Sequence, residues 1–157
     1  QEEDFRKLNE SLLKSNVNDT ARVLLHGWYG NPEDYESDDL AQPGATQDEH
    51  WYPTGDVFDT SGAVVGGDWS GHQELYQDFY QPYCRTCHLS FDFMTIDTSD
   101  FMFALGSTVE GYLCAEETYM PQAKITQRAL FRDKDAIQLL IDEMTAHGNN
   151  WTAQSCP

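Results

Sequence analysis

The sequence predicts a mainly α-helical protein. Apolar residues recur at helical spacing near the beginning, in the middle and at the end of the 157-residue chain. Between them, residues 31–71 are rich in glycine, proline, aspartate and serine, with large aromatic side chains interspersed. We therefore expect helices on either side of a long, ordered loop region, because the aromatic residues argue against a purely flexible linker.

The N-terminal part is predicted to hold two short helices and a hairpin. Helical spacing covers residues 4–14, and a capping residue within 18–20 begins a second helix. The glycines and aromatic residues of 27–30 break that pattern. A short hairpin is expected near Val57–Val65, inside the loop region.

Helical spacing returns in the second half of the chain. A helix is predicted over His72–Tyr83, and Pro82 is expected to stop it. A further short helix is predicted around Ser99–Leu105. The clearest element is the last helix, because Asp133 caps it and Gly148 follows its final apolar residue.

The charge of the chain limits its functions. It has 27 acidic and 9 basic side chains, and a formal net charge of −18. A general nucleic-acid binder needs clustered Lys and Arg to neutralise phosphates, so that class is excluded. Docking on an anionic membrane surface is disfavoured for the same reason. No run of about 18 apolar residues is present, so we expect no membrane span.

The most informative segment is the C-x-x-C-H motif at residues 84–88. Two thiols at this spacing can add across the two vinyl groups of one haem, and the adjacent imidazole can bind its iron. Three other uses of the cysteines stay open: a zinc site, a redox pair and a structural disulfide. Zinc would need two more ligands, and Cys114 and Cys156 lack a paired spacing. A redox pair would need a βαβ setting, and a disulfide within C-x-x-C would be strained.

The segment from Gly71 to His88 resembles the first helix and haem-attachment motif of monohaem c-type cytochromes. The stretch from Cys114 to Met120-Pro121-Gln122-Ala123 is similar to the C…M-P-x-A pattern of some bacterial exported cytochrome domains. That family places a glycine and an aromatic residue before the cysteines, and Gly71, Phe79 and Tyr80 match this pattern. The resemblance covers about residues 71–148.

The resemblance implies two parts and one covalent haem c. Residues 71–157 would form a cytochrome c-like helical haem domain, and residues 1–70 an N-terminal extension that such proteins usually lack. Haem maturation takes place in exported compartments, which implies a periplasmic or extracellular protein. Because disulfides persist there, a bridge between Cys114 and Cys156 is expected. It would close a loop of about 40 residues and add roughly 3–4 kcal/mol of stability.

The resemblance also implies the haem ligands. Cys84 and Cys87 would form the thioether bonds, and His88 would bind the iron as a metal ligand. Met120, which Pro121 follows in a loop before the last helix, would be the second axial ligand. Arg85, Lys124 and Arg128 are candidates for meeting the haem propionates. The rival axial ligands are Met94, Met102, His26, His50 and His72.

The expected function is one-electron transfer by an electron carrier rather than a catalyst. The acidic surface predicts a redox partner with a basic docking patch, or neighbouring subunits of a redox complex. One alternative is a haem subunit fixed in a larger assembly, with an exposed apolar patch built from Trp28, Tyr29, Trp51 and Trp69. Another is a gas-binding or catalytic haem with an open sixth site.

Overall fold

The computed structural model confirms that the protein is mainly helical. Two compact units divide the chain: Gln1–Gly71 with Cys87–Thr98, and His72–Thr86 with Ser99–Pro157. The structure describes residues 1–15, 17–40, 46–48, 50–58, 60–62, 64–88, 98–113 and 123–151.

The first unit begins with the two predicted helices. Helix α1 spans Glu2–Leu13 and helix α2 spans Asp19–Trp28. The side chain of Asn18 caps α2, because its Oδ1 accepts the backbone N–H of Ala21 at 2.9 Å. A short 3₁₀ helix follows at Pro32–Asp34.

Gly27 lies inside α2, although the sequence predicts that the helix breaks from this residue onward. The reason is a close approach, since a Cβ at Gly27 would overlap the indole ring of Trp51. The helix ends one residue later, and Gly30 turns the chain with a φ of 78°. The predicted break therefore falls in the right place, but Gly27 serves packing and not the turn.

The predicted hairpin is also confirmed. Strand β1, Val57–Phe58, pairs with strand β2, Val64–Gly66, in an antiparallel ribbon.

The acidic loop after the 3₁₀ helix is held by Arg22, whose rigid guanidinium donates to carbonyl oxygens and one carboxylate. The acceptors are the carbonyl oxygens of Leu13 (2.9 Å), Tyr35 (2.8 Å), Glu36 (3.0 Å) and Ser37 (2.8 Å), and Oδ1 of Asp38 (2.9 Å).

The remaining helices belong largely to the second unit. They are a π-helix at Leu75–Tyr80, α3 at Gln81–Tyr83, α4 at Arg85–His88, α5 at Ser99–Ala104, α6 at Gly106–Leu113, α7 at Ala123–Leu130 and α8 at Lys134–Ala146. Helices α5 and α8 agree with the predictions. For α8 the agreement includes the cap at Asp133 and the turn at Gly148. Helices α6 and α7 were not predicted.

The segment predicted as an α-helix at His72–Tyr83 contains a π-helix, which has a wider turn. In the π-helix the N–H of Gln81 bonds to the carbonyl of Tyr76, five residues earlier. Pro82 then sits at the start of a new α-turn, where its missing N–H costs little. The helix ends at Tyr83, so the expected stop near Pro82 is close, but the segment before it is not a regular α-helix.

The π-helix packs against α8 and carries the core of the second unit. Contacts near both ends show that the two segments run antiparallel: His72 meets Glu143 near the end of α8, and Tyr83 meets Asp133 at its start. The side chains that are almost fully buried in this unit include Leu75, Phe79, Met102, Leu130, Leu140 and Met144.

Gly106 and Gly111 of α6 provide a matched pair for testing how closely α6 packs against Asn149. A Cβ at Gly106 would overlap the amide of Asn149, whereas a Cβ at Gly111 has no neighbour within 4 Å. We expect Gly106→Ala to lower the free energy of unfolding by about 1–3 kcal/mol through overpacking. Gly111→Ala should raise it by about 0.5–1 kcal/mol because alanine favours the helix. Chemical denaturation measures both, and equal effects of the two substitutions would contradict the packing described.

Candidate functional site

The C-x-x-C-H motif lies on helical backbone directly after the segment that packs on α8. Cys84 forms the turn between α3 and α4, and its N–H bonds to the carbonyl of Tyr80 at 2.9 Å. Cys87 and His88 lie in α4. Cys84 and His88 are both half-buried, and the side chain of Cys87 lies outside the described part. Two thiols and an imidazole on a short helical stretch are a donor set that fits a covalently attached haem.

Tyr83 anchors the chain immediately before Cys84. Its hydroxyl donates to Oδ2 of Asp133 at 2.7 Å. The other oxygen of Asp133 accepts the backbone N–H of Ala136 at 3.1 Å and caps α8. One carboxylate therefore caps a helix and also fixes the residue that precedes the motif.

This contact changes the pKa of both groups. The hydrogen bond to Asp133 raises the pKa of Tyr83 to about 12, because ionising the phenol would remove the donated proton beside a carboxylate. The bond from Tyr83, and then the N–H of Ala136, lower the pKa of Asp133 by stabilising its charged form.

Arg85, inside the motif, has a partner on the π-helix. Its guanidinium lies beside the phenol of Tyr76, which is buried. Burial raises the pKa of Tyr76, and the guanidinium partly opposes that rise. Among the other candidates for propionate contacts, Arg128 is exposed on α7, and the side chain of Lys124 lies outside the described part.

The rival axial ligands that the structure describes occupy other roles. Met102 is a core residue of α5 and is 1% exposed. His26 is equally buried, and its Nε2–H donates to the carbonyl of Ser37 at 3.0 Å. His50 is exposed, and His72 pairs with Glu143. Met94, Met120, Cys114 and Cys156 lie outside the described residues, so the predicted second ligand and disulfide stay predictions.

A haem subunit fixed in a larger assembly was expected to expose an apolar patch of Trp28, Tyr29, Trp51 and Trp69. These aromatic residues of the first unit do not form such a patch. Tyr29 and Trp69 are buried, and Trp28 and Trp51 are half-buried. Tyr29 packs with Leu13, Leu25 and Leu40. These rings stabilise the fold of the unit, which is why they occur among loop residues.

Two sets of polar contacts in the second unit were not predicted from the sequence. The Tyr83–Asp133 bond joins residues 50 positions apart, and no local pattern signals it. A cluster of His72, Glu143 and His147 also forms there. The i, i+4 spacing of Glu143 and His147 on α8 could have suggested this pair, since such residues share one helix face.

Comparisons with family models, with curated proteins and with solved structures found no match for this chain. In the part of the chain that the structure describes, no helix is both long enough and apolar enough to cross a membrane.

The anchor at Tyr83 predicts a distinctive pH dependence. The raised pKa of Tyr83 gives stability that is fully present below pH 10.0, the ordinary pKa of a tyrosine, and is lost as pH rises toward about 12. The lowered pKa of Asp133 gives stability that is present above pH 3.8 and is lost as pH falls through its folded pKa. The difference in urea midpoint between the native protein and Tyr83→Phe should therefore be constant between these limits and shrink outside them.

Tyr112→Phe, at an exposed tyrosine of α6, is the control for loss of a hydroxyl. A midpoint difference for Tyr83→Phe that does not shrink toward either pH extreme would show that the Tyr83–Asp133 bond is not its source.

Proposed function

We propose that this protein is a monohaem c-type cytochrome that transfers single electrons. The observation that carries the proposal is the C-x-x-C-H motif at residues 84–88. The half-buried positions of Cys84 and His88 support it, since a thioether and an iron ligand need side chains that are neither fully packed in a core nor fully solvated.

Four residues would hold the haem. Cys84 and Cys87 would bind it through thioether bonds, His88 would be one axial ligand, and Met120 the other. When bound, haem c supplies an iron that cycles between Fe(III) and Fe(II). A methionine ligand favours Fe(II) and so raises the reduction potential relative to two histidines. A disulfide between Cys114 and Cys156 would tie the C-terminal tail to the segment that carries Met120.

The chain's own contacts would keep the attachment residues in place. Tyr83, bonded to Asp133, fixes the backbone before Cys84, and the guanidinium of Arg85 lies beside the buried phenol of Tyr76. Both contacts reach elements of the packed second unit, so the motif is supported on either side of its first cysteine. Small structural change between redox states favours rapid electron transfer, and such supports limit movement of the ligands.

The charge of the protein supports a cationic partner. With a net charge of −18, association with a redox protein that has a basic docking patch would be steered electrostatically and would slow as salt is added. Covalent haem attachment would place the protein in the periplasm or outside the cell.

Intact mass under denaturing conditions tests the attachment. After expression with haem maturation, we expect the full chain plus the mass of one haem, because thiol addition to vinyl groups loses no atoms. The double variant Cys84→Ala/Cys87→Ala should lose this mass. The matched control Cys114→Ser/Cys156→Ser should keep it, since those cysteines have no part in the thioether bonds. An unmodified mass for the native chain, with both motif thiols open to alkylation, would overturn the proposal.

The absorption spectrum tests the axial ligands separately. We expect a low-spin ferric spectrum that becomes high-spin in Met120→Ala, whereas Met102→Leu, a volume-conserving change in the core, should leave it low-spin. His88→Ala should disturb the spectrum, and His50→Ala should not. A native protein that is high-spin and responds to carbon monoxide would favour the open sixth site of a gas-binding or catalytic haem.

A further inference from the structure

The cluster of His72, Glu143 and His147 brings metal-ligating side chains together in the second unit. Each of the three offers one ligand atom, and these atoms all lie within 4.8 Å of one another. His72 precedes the π-helix, and the other two residues lie one helical turn apart at the end of α8. The cluster is independent of the C-x-x-C-H motif.

The distances within the cluster are close to those of a coordination sphere. Nδ1 of His72 lies 3.1 Å from Oε2 of Glu143, and Nδ1 of His147 lies 3.9 Å from the same oxygen. Ligands about 2.0–2.2 Å from a tetrahedral Zn²⁺ are roughly 3.3–3.6 Å apart. The His72–Glu143 pair already has nearly this separation, and His147 would join it through Nε2, because its Nδ1 is bonded to the carbonyl of Glu143.

Phe103 orients both imidazole rings. Its ring stacks on that of His147, with centroids 3.8 Å apart and planes 4° apart. It meets the ring of His72 edge-on at 5.0 Å. Phe103 is buried, and its carbonyl accepts a hydrogen bond from Nδ2 of Asn149 at 3.1 Å. The two histidines are thus held by a core residue and are not loose surface side chains.

Backbone contacts also set the tautomer of His147. Its Nδ1 lies 2.8 Å from the carbonyl oxygen of Glu143, which can only accept, so Nδ1 carries the proton. The lone pair of Nε2 is then available to a cation, which is the common arrangement for histidine ligands. The Nδ1–H of His72 donates to Oε2 of Glu143.

We infer that His72, Glu143 and His147 bind one divalent transition-metal ion of the Zn²⁺ type. Two imidazoles and one carboxylate suit borderline-soft cations, whereas Mg²⁺ and Ca²⁺ prefer oxygen ligands alone. Three protein ligands leave a fourth position for water. The ion ties the residue before the π-helix to the end of α8, so its role is to fasten these two segments. The net charge of −18 further favours cation binding.

Zinc titration of the haem-loaded protein tests the site. With Mg²⁺ in large excess to occupy carboxylates, isothermal calorimetry should find one Zn²⁺ per chain, and zinc should raise the thermal midpoint. His147→Gln and Glu143→Gln should each lower the zinc affinity at least tenfold. His147→Gln is the safer variant for folding because the side chain is exposed.

Two controls lie outside the cluster. Asp142→Asn changes an exposed carboxylate next to Glu143, and His50→Gln removes an exposed histidine of the first unit. Both should leave the zinc affinity within about twofold, as expected for surface changes away from the ligands. Absence of zinc binding, or binding that His147→Gln leaves unchanged, would overturn the inference. Haem content, measured by mass and iron analysis, should be the same in all four variants. Failure of the zinc inference can therefore be distinguished from failure of the haem proposal.

Discussion

The hydrogen bond between Tyr83 and Asp133 sets the position of the chain just before its most informative residues. Asp133 also caps α8, so a single carboxylate links the best-formed helix of the second unit to the start of the C-x-x-C-H motif. Cys84 follows Tyr83 directly and cannot move far from α8 while this bond is intact. The placement of the first cysteine thus depends on a polar contact at the edge of the otherwise apolar interface between the segment before the motif and α8.

The segment before the motif and α8 form one structural pair. They run antiparallel, with an apolar seam that includes buried side chains such as Leu75 and Leu140. Polar contacts close the seam near both ends, through Tyr83 at one and His72 at the other. In our proposals, the first end supports haem attachment and the second holds a divalent ion. The same pair of segments would then organise two different cofactors.

How far the sequence predicts this structure depends on the range of each signal. Helix α8 could be predicted because Asp133 and Gly148 mark its ends locally. Helix α6 could not, since two glycines weaken its helical tendency and Gly106 packs against Asn149, more than 40 residues later. The motif cysteines were evident from spacing alone. The partner of Tyr83, the residue before the motif, comes from 50 residues away, and no periodic pattern connects the two.

The π-helix at Leu75–Tyr80 sets the angular phase between the seam and the cysteines. A π-turn contains about one residue more than an α-turn, so removing one residue there would restore regular α geometry. With all residues kept, regular α geometry would instead rotate every side chain beyond the segment by about 100° about the helix axis relative to α8. The wide turn therefore accommodates one extra residue while keeping Cys84 in its present direction, and conversion to α geometry at unchanged length would turn Cys84 away while leaving the motif itself intact.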